Sequence, residues 1–230
     1  MAQKIDYQKQ LDEILKTVDA KRQTIGRKQT LLLHACCAPC SSYVIEYLSE
    51  HFDITIFYYN PNIHPQAEYE RRLAELQKFL TQFPLAVQHA VKLVVADYDP
   101  EDYFTATNVR LETDLQAEPE KGERCRRCYE FRMKKAWAYA CEYKFDWFTT
   151  TLSISPHKDA EKINTIGMQL QAVLEQTNDS FAMQATAPTT KYLPANFKKK
   201  GGFLRSTQLS TEYGLWRQDY CGCVYSQKNK

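Results

Sequence analysis

Short apolar runs alternate with segments of helical periodicity, and this pattern constrains the fold more than any other feature. The runs are "TLLLHAC", "DITIFYYNP", "KLVVADYD" and "WFTTTLSIS". Between them apolar residues recur at helical spacing, as in Tyr69, Leu73 and Leu76. Strands that alternate with helices predict a Rossmann-like α/β fold, in which helices cover both faces of a parallel sheet.

The same pattern predicts the domain organisation. Residues 1–29 form an amphipathic leader helix followed by a basic linker, "KRQTIGRKQT". Residues 30–230 form a single α/β domain, because no internal repeat or low-complexity tract divides them. The periodicity weakens after Asn178. We therefore predict an irregular C-terminal segment over about 180–230, with a basic loop, a helix and an irregular end.

Composition indicates a cytoplasmic protein with reduced thiols. No stretch approaches the roughly 18 apolar residues of a membrane span, so no membrane partner is expected. The N-terminus, "MAQKIDYQKQLDEILK", is too charged for a signal peptide. We therefore do not expect the eight cysteines to form a disulfide framework, because cytosolic thiols are kept reduced. Those cysteines that cluster point to metal binding or redox chemistry.

The first cysteine group is Cys36, Cys37 and Cys40, in "LLLHACCAPCSSYV". The group lies where the first strand meets a helix, and ligands of open parallel sheets bind at such strand ends. The helix dipole favours anions there, including thiolates. "CAPC" also permits a thioredoxin-like exchange site, although Cys36 adds a third thiol. The plainest alternative is three buried small residues.

The second group is Cys125 and Cys128, in "GERCRRCYEFR", which share one side of a predicted helix. With Cys36 and Cys37 they supply four thiolates, the number that a [4Fe–4S] cluster or a structural zinc ion takes. Adjacent cysteines do not point easily at one tetrahedral ion and suit two corners of a cluster better. The spacing therefore favours iron–sulfur over zinc.

The third group is Cys221 and Cys223, in "DYCGCVYS". A disulfide across one glycine would be strained, and strained disulfides are the labile, redox-active kind. The alternatives are two further metal ligands or a structural pair. Cys141, on the apolar face of its helix, is expected to be a core residue.

Five motifs in this order resemble one family. "LLLHACCAPCSSYV", "YYNPNIHPQAEYERR", "ERCRRCYEFRM", "TTLSISPHKD" and "DYCGCVYS" are similar to the motifs of the QueH-type epoxyqueuosine reductases. The resemblance runs from about Thr30 to Ser226 and leaves out the leader helix. This family carries out the last step of queuosine synthesis in tRNA without cobalamin.

The resemblance implies a function and roles for residues. The cluster ligands would be Cys36, Cys37, Cys125 and Cys128, and Cys221 and Cys223 would be a redox-active pair. The partners would be tRNA carrying epoxyqueuosine in its anticodon loop and an unidentified electron donor. The implied fold resembles that of the adenine-nucleotide α-hydrolases, or PP-loop proteins.

Electron counting suggests a second redox element. Removal of an epoxide oxygen as water needs two electrons and two protons, whereas one cluster ordinarily passes one electron at a time. Either the Cys221–Cys223 dithiol or an additional mononuclear iron acting as a Lewis acid would complete the reaction. Cys40 is the spare thiol that could bind such a metal, together with Asp219. His34 is a candidate acid, although it is more simply a hydrogen-bonded core residue.

Loop bases in RNA are read by stacking on aromatic or guanidinium planes. Tyr59 and His64 follow a strand end, and Arg132 and Lys199 lie in basic stretches, so we predict these four as substrate-binding residues.

Two other classes of function remain open. A PP-loop-like tRNA sulfur transferase would need a phosphate-binding loop, which "CCAPCSS" lacks, and a zinc-stabilised RNA-binding module would be colourless.

Overall fold

The fold was analysed in a computed structural model, which describes residues 5–180 and 189–227, with backbone alone for 177–180. Residues 1–4 of the leader and residues 181–188 and 228–230 of the predicted C-terminal segment lie outside the described residues. The strands, β1 to β5, are Gln29–Ala35, Phe52–Tyr58, Lys92–Val95, Trp147–Thr150 and Lys191–Tyr192.

Amphipathic segments form the helices that connect these strands. In the described residues the α-helices, α1 to α9, are Tyr7–Ile25, Ala38–Leu48, Gln66–Gln82, Pro84–Gln88, Pro100–Thr107, Thr113–Ala117, Glu123–Glu142, Ala160–Ser180 and Gly202–Glu212. Short 3₁₀ helices lie at Thr151–Ile154, after β4, and at Val224–Ser226, after α9. The predicted helices are confirmed, apart from small shifts of their ends.

The sheet is entirely parallel, with strand order β3-β2-β1-β4-β5. Parallel strands place their carboxyl ends at one edge, so the residues that follow β1, β2 and β4 approach each other there. In the register, Ala35 at the end of β1 lies opposite Tyr58, and His34 lies opposite Thr150. The first cysteine group therefore follows the central strand of the sheet.

Helices cover both faces of the sheet, as the sequence predicted. On one face α1, α2 and α3 pack against alternate residues of β1, including Leu31 and Leu33. On the other face α7 and α8 pack around Leu32 and Phe148. Successive strand residues point to opposite faces, so a strand buried on both faces reads as the continuous apolar run seen in β1.

Two features differ from or add to the expected pattern. The strand β5 was not predicted, because two residues are too short to show periodicity. The leader helix packs into the main core through Leu11, Leu15 and Val18.

In the described part of the chain, no helix is long and apolar enough to cross a membrane. The resemblance to the PP-loop fold stays a prediction.

Candidate thiol-rich active site

Cys36, Cys37 and Cys40 form a compact three-thiol group at the carboxyl end of β1. Cys36 and Cys37 are buried, and Cys37 immediately precedes α2, whose first turn carries Cys40. The sulfurs of Cys36 and Cys37 lie 3.8 Å apart, and all three sulfurs lie within 4.8 Å of one another. Among the described residues this is the one group whose ligand atoms are close enough to hold a single ion.

Thiol contacts within this group favour one thiolate over the others. Hydrogen bonds from Cys37 and Cys40 hold the pKa of Cys36 well below its usual value. The same contact with Cys36 raises the pKa of Cys37 to about 12, and the pKa of Cys40 is also raised. The group therefore holds one negative charge in preference to three when no metal is bound.

Cys125 and Cys128 lie in the first two turns of α7. The Glu118 carboxylate accepts hydrogen bonds from the backbone N–H groups of Glu123 and Arg124, both at 2.7 Å, and so caps this helix. The Glu118 carboxylate lies directly over Gly122, where a Cβ would come within 2.2 Å of it, so a larger residue there would displace this cap. Burial raises the pKa of both thiols, that of Cys128 to about 11.

Cys221 and Cys223 follow α9 on an irregular segment. Both are free thiols, and Cys223 is buried with its sulfur 3.9 Å from the Tyr103 hydroxyl. A hydrogen bond from the Cys223 thiol holds the pKa of Cys221 well below its usual value, and the pKa of Cys223 is raised in turn. Cys221 is thus the sulfur of the pair that carries the thiolate charge more readily.

Two adjoining cavities bring the three cysteine groups together. The thiol pocket is lined by Cys125, Cys128, Cys221 and Cys223. A larger open cleft of about 620 Å³ is lined by the three-thiol group and also by Cys221. Glu120, His157, Lys158 and Cys221 line both cavities. The sequence separates these groups by up to 187 positions (223 − 36), and the fold places them around one region.

Comparison with known proteins supports the assignment that the motifs suggested. The family described as epoxyqueuosine reductase QueH matches residues 31–229, nearly all of the chain after the leader helix. The chain belongs to the QueH family. The match covers every cysteine of the two cavities, and it begins at the third residue of β1.

Several curated relatives carry the name epoxyqueuosine reductase QueH. The protein from Streptococcus pyogenes serotype M1 is 40% identical over 226 residues, which cover 98% of this chain and 80% of that protein. The Staphylococcus epidermidis protein is 36% identical, covering 97% and 85% of the two chains. The Thermotoga maritima protein is 32% identical, covering 86% and 90%.

The four cysteines predicted as cluster ligands of this QueH family member lie on two adjoining cavities. Cys125 and Cys128 line the thiol pocket, whereas Cys36 and Cys37 line the adjoining cleft, so the four-thiolate set stays a prediction. We expected that Cys36 and Cys37 would not point easily at one tetrahedral ion, but the structure offers both sulfurs to a single ion. Their 3.8 Å separation is compatible with two sulfurs bound to one ion at the usual distance of about 2.3 Å.

The surroundings of the thiols suit a bound anionic metal cluster. Burial alone would lower the pKa of Lys158, but the neighbouring thiolates, first that of Cys36, outweigh it and raise the pKa. Arg132 is also buried and its pKa is raised by Cys128 and Cys36 against the effect of burial. Two buried polar atoms of the thiol pocket, Asn62 Oδ1 and Arg124 Nε, lack a partner among the described residues.

Two of the four predicted substrate-binding residues, Tyr59 and Arg132, are buried rather than on the surface. Tyr59 is 3% exposed and packs against Phe57 and Phe131, so its ring offers no face to a base. Arg132 is 2% exposed and donates a hydrogen bond to Asn60, so it cannot meet a phosphate on the surface. Periodicity and charge did not reveal this burial, because both residues face the core from strand-end and helix positions.

The other predicted residues remain accessible to different degrees. His64 is half-buried, with its ring 5.0 Å from that of Phe104. Lys199 is exposed, and no hydrogen bond or ion pair within the described residues ties its ammonium group. Asp219 is exposed on the rim of the open cleft beside Cys221. The structure does not test their roles, which stay predictions.

His34 is a core residue rather than an accessible acid. It is completely buried, and its ring nitrogens contact the Thr150 hydroxyl at 2.9 Å and the Tyr59 carbonyl oxygen at 3.1 Å. Burial lowers its pKa to about 3. The ring therefore stays neutral and joins β1 to β4 and to the end of β2.

Two residues of this region were missed from the sequence. Lys158 lines both cavities, and only the fold places it beside thiols far along the chain. Arg72 is 1% exposed and lies between Tyr69 and Leu76 on the buried face of α3. Helical spacing could have identified Arg72, because a charged residue on an apolar helix face needs a buried partner.

Proposed function

We propose that this chain reduces epoxyqueuosine to queuosine in tRNA. The observation that carries the proposal is the QueH match over residues 31–229, which spans all three cysteine groups around two adjoining cavities. The relatives are named for reduction of this substrate. Cytoplasmic action on tRNA with a separate electron donor is part of the same proposal.

The proposed cofactor is a [4Fe–4S] cluster on Cys36, Cys37, Cys125 and Cys128. When bound, such a cluster supplies single electrons at low potential. Arg132 and Lys158 would offset its negative charge from the protein side. An additional mononuclear iron would be held by Cys40 and Asp219, both on the open cleft.

We propose that Cys221 and Cys223 form a dithiol that supplies the two electrons needed to remove the epoxide oxygen. Two thiols can give two electrons and two protons, leaving one disulfide, while the epoxide oxygen departs as water and an alkene forms. The electron donor then returns the disulfide to two thiols. Cys221 lines both cavities, so its sulfur can face a substrate that enters the open cleft.

The open cleft is proposed to take the modified nucleoside. Its volume of about 620 Å³ falls in the range of small-molecule sites, roughly 300–1,000 Å³. The side chains of Glu120 and His157 lie 3.5 Å apart on its wall, and Arg217 and Tyr220 lie on its rim. Lys199 and His64 are proposed to contact the anticodon loop outside the cleft.

The test is anaerobic reconstitution with iron and sulfide, followed by an assay on tRNA containing epoxyqueuosine with a chemical reductant. We expect brown protein and conversion of epoxyqueuosine to queuosine, measured by mass spectrometry of the digested tRNA. Iron-loaded protein that leaves the epoxide intact would refute the proposal. A dependence on ATP would favour sulfur transfer, and colourless zinc-containing protein would favour an RNA-binding module.

The dithiol is tested separately in single variants. We expect Cys221→Ser and Cys223→Ser to retain iron and to lose at least about tenfold in turnover, because each leaves one thiol that cannot form the disulfide. Cys141→Ser is the matched control, since Cys141 lies near the end of α7, packs against the core and lines neither cavity. Full turnover by Cys221→Ser would remove the dithiol from the mechanism.

A further inference from the structure

The guanidinium group of Arg72 connects α3 to the segment that carries Cys221 and Cys223. Its Nη1 donates to the carbonyl oxygen of Cys221 and its Nη2 to that of Tyr220, each at 3.2 Å. Its Nε donates to Glu68 Oε1 at 2.6 Å. All three nitrogens are therefore used, and the side chain is 1% exposed.

The cysteine segment lies unusually close to this guanidinium. A Cβ at Gly222 would lie 2.7 Å from Ile63 Cγ1 and 3.1 Å from Arg72 Nη1, and Gly222 has a φ of +101°. Only glycine fits that approach without strain. The Gly222 carbonyl oxygen also accepts a hydrogen bond from the His64 N–H at 2.9 Å. The backbone around Cys221 is thus fixed from two sides.

Two other contacts with this segment involve side chains that are less buried than Arg72. Arg71, the neighbour of Arg72, is exposed, and its guanidinium carbon lies 3.7 Å from the centroid of the Trp216 ring. The Tyr220 hydroxyl donates to the His64 carbonyl oxygen. Arg72 differs from both, because its donors are buried and reach the backbone beside the reactive sulfur itself.

We propose that Arg72 is a positioning residue, which holds Cys221 at the boundary between the thiol pocket and the open cleft. Arg72 lines the open cleft with Cys36 and Cys37, so one side chain fixes the place of Cys221 relative to the three-thiol group. The inference rests on the proposed function only in treating Cys221 and Cys223 as the redox pair. It assigns a role to the second arginine of the "YERR" motif.

The first measurement is amide hydrogen exchange on reduced, metal-free protein without substrate. In Arg72→Met, exchange over residues 216–227 should be about tenfold faster, because two carbonyl contacts and the local charge are lost. Arg71→Met is the control: it removes the same charge at the adjacent position and loses the contact with Trp216, so exchange can change at Trp216 itself but should change by no more than about twofold over residues 220–223. Exchange in β1 and β2 reports whether the core is intact.

A conservative variant keeps the test decisive if Arg72→Met does not fold. Arg72→Lys retains the charge, but one ammonium group cannot reproduce the fork that reaches two carbonyl oxygens and Glu68. It should give exchange intermediate between the unaltered chain and Arg72→Met. Exchange within about twofold of the unaltered chain, in either folded variant, would overturn the proposal.

The second measurement separates positioning from general stability. In reconstituted protein, Arg72→Met should lower kcat about tenfold while KM for the tRNA and iron content stay within about twofold, with partial recovery in Arg72→Lys. Faster exchange with an unchanged kcat would overturn the role in the reaction. If the unaltered chain is inactive, the proposed function fails instead, and the exchange rates alone decide whether Arg72 holds the segment.

Discussion

Arg132 donates a hydrogen bond to the side-chain oxygen of Asn60, and both side chains are buried. Asn60 in turn donates to the carbonyl oxygen of Ala35 at 2.9 Å. Arg132 lies one helical turn after Cys128, and Ala35 immediately precedes Cys36. This chain of hydrogen bonds therefore joins the two regions that carry the predicted cluster ligands.

Asn60→Ala should disturb metal binding more than its effect on stability explains. We expect it to lower the free energy of unfolding by about 1–3 kcal/mol, because the buried Arg132 guanidinium and the Ala35 carbonyl oxygen each lose the hydrogen bond that Asn60 makes. It should also reduce the iron bound after reconstitution by about threefold or more. Urea unfolding and iron analysis measure the two effects.

The matched control for Asn60 is Asn164, a second fully buried asparagine. Asn164 accepts a hydrogen bond from the N–H of Ala195 at 2.9 Å and donates to the Ala195 carbonyl oxygen at 3.0 Å, away from both cavities. Asn164→Ala should cost similar stability and bind iron normally. Equal iron loss in the two variants would mean that the Asn60 effect is only a general loss of stability.

The predicted ligand set is tested by single serine substitutions. Cys36→Ser and Cys125→Ser should each retain less than about a quarter of the iron and sulfide of the unaltered chain, since a [4Fe–4S] cluster takes four thiolates. Cys141→Ser should retain both in full. If Cys40→Ser loses the cluster and Cys125→Ser keeps it, the metal is instead bound by the three-thiol group at the end of β1.

Lys199 should contribute to tRNA binding through its charge. Lys198 donates to the carbonyl oxygens of Ser155 and Lys158, and Lys200 pairs with Asp12 at 2.6 Å, whereas the Lys199 ammonium is exposed. The plot of log affinity against log salt has a negative slope, and Lys199→Ala should reduce the magnitude of that slope by about one. Lys200→Ala is the control and should change the slope less. An unchanged slope in Lys199→Ala would exclude a phosphate contact.

Asp146 should stabilise the junction between the leader and the sheet. Its carboxylate accepts hydrogen bonds from the Thr30 N–H at 2.9 Å, the Thr30 hydroxyl at 3.1 Å and Arg27 Nη1 at 3.1 Å. Burial acts to raise its pKa, but these bonds outweigh burial and hold the pKa below its usual value near 3.8. Asp146→Asn should lower the free energy of unfolding by about 1–2 kcal/mol at neutral pH.

The Asp146 contribution should disappear in acid. Because the folded-state pKa is lowered, the unfolded chain binds the proton more readily, and this stabilisation is present above about pH 4 and lost as the pH falls below it. Urea unfolding at neutral pH and at about pH 3 should therefore show the difference between Asp146→Asn and the unaltered chain shrinking in acid. A difference that stays constant would show that the charge of Asp146 is unimportant.

The sequence alone determined the α/β architecture and which cysteines share a helix face. Apolar runs such as that of β1 identified buried parallel strands, because a strand covered on both faces has no polar side. The spacing of Cys125 and Cys128 identified one helix face, because residues three apart lie together on a helix. Both inferences rest on local periodicity, which the backbone geometry imposes. The two-residue β5 carries too little periodicity to be recognised.

Only the tertiary structure decided which distant residues meet. Tyr59 and Arg132 read as substrate contacts in the sequence, yet packing against other elements buries both. Helical spacing could place Arg72 on the buried face of α3, but only the fold shows that it reaches the backbone of Cys221, 149 positions away. Burial and approach depend on contacts between remote segments, and no pattern within one segment records which segment will cover it.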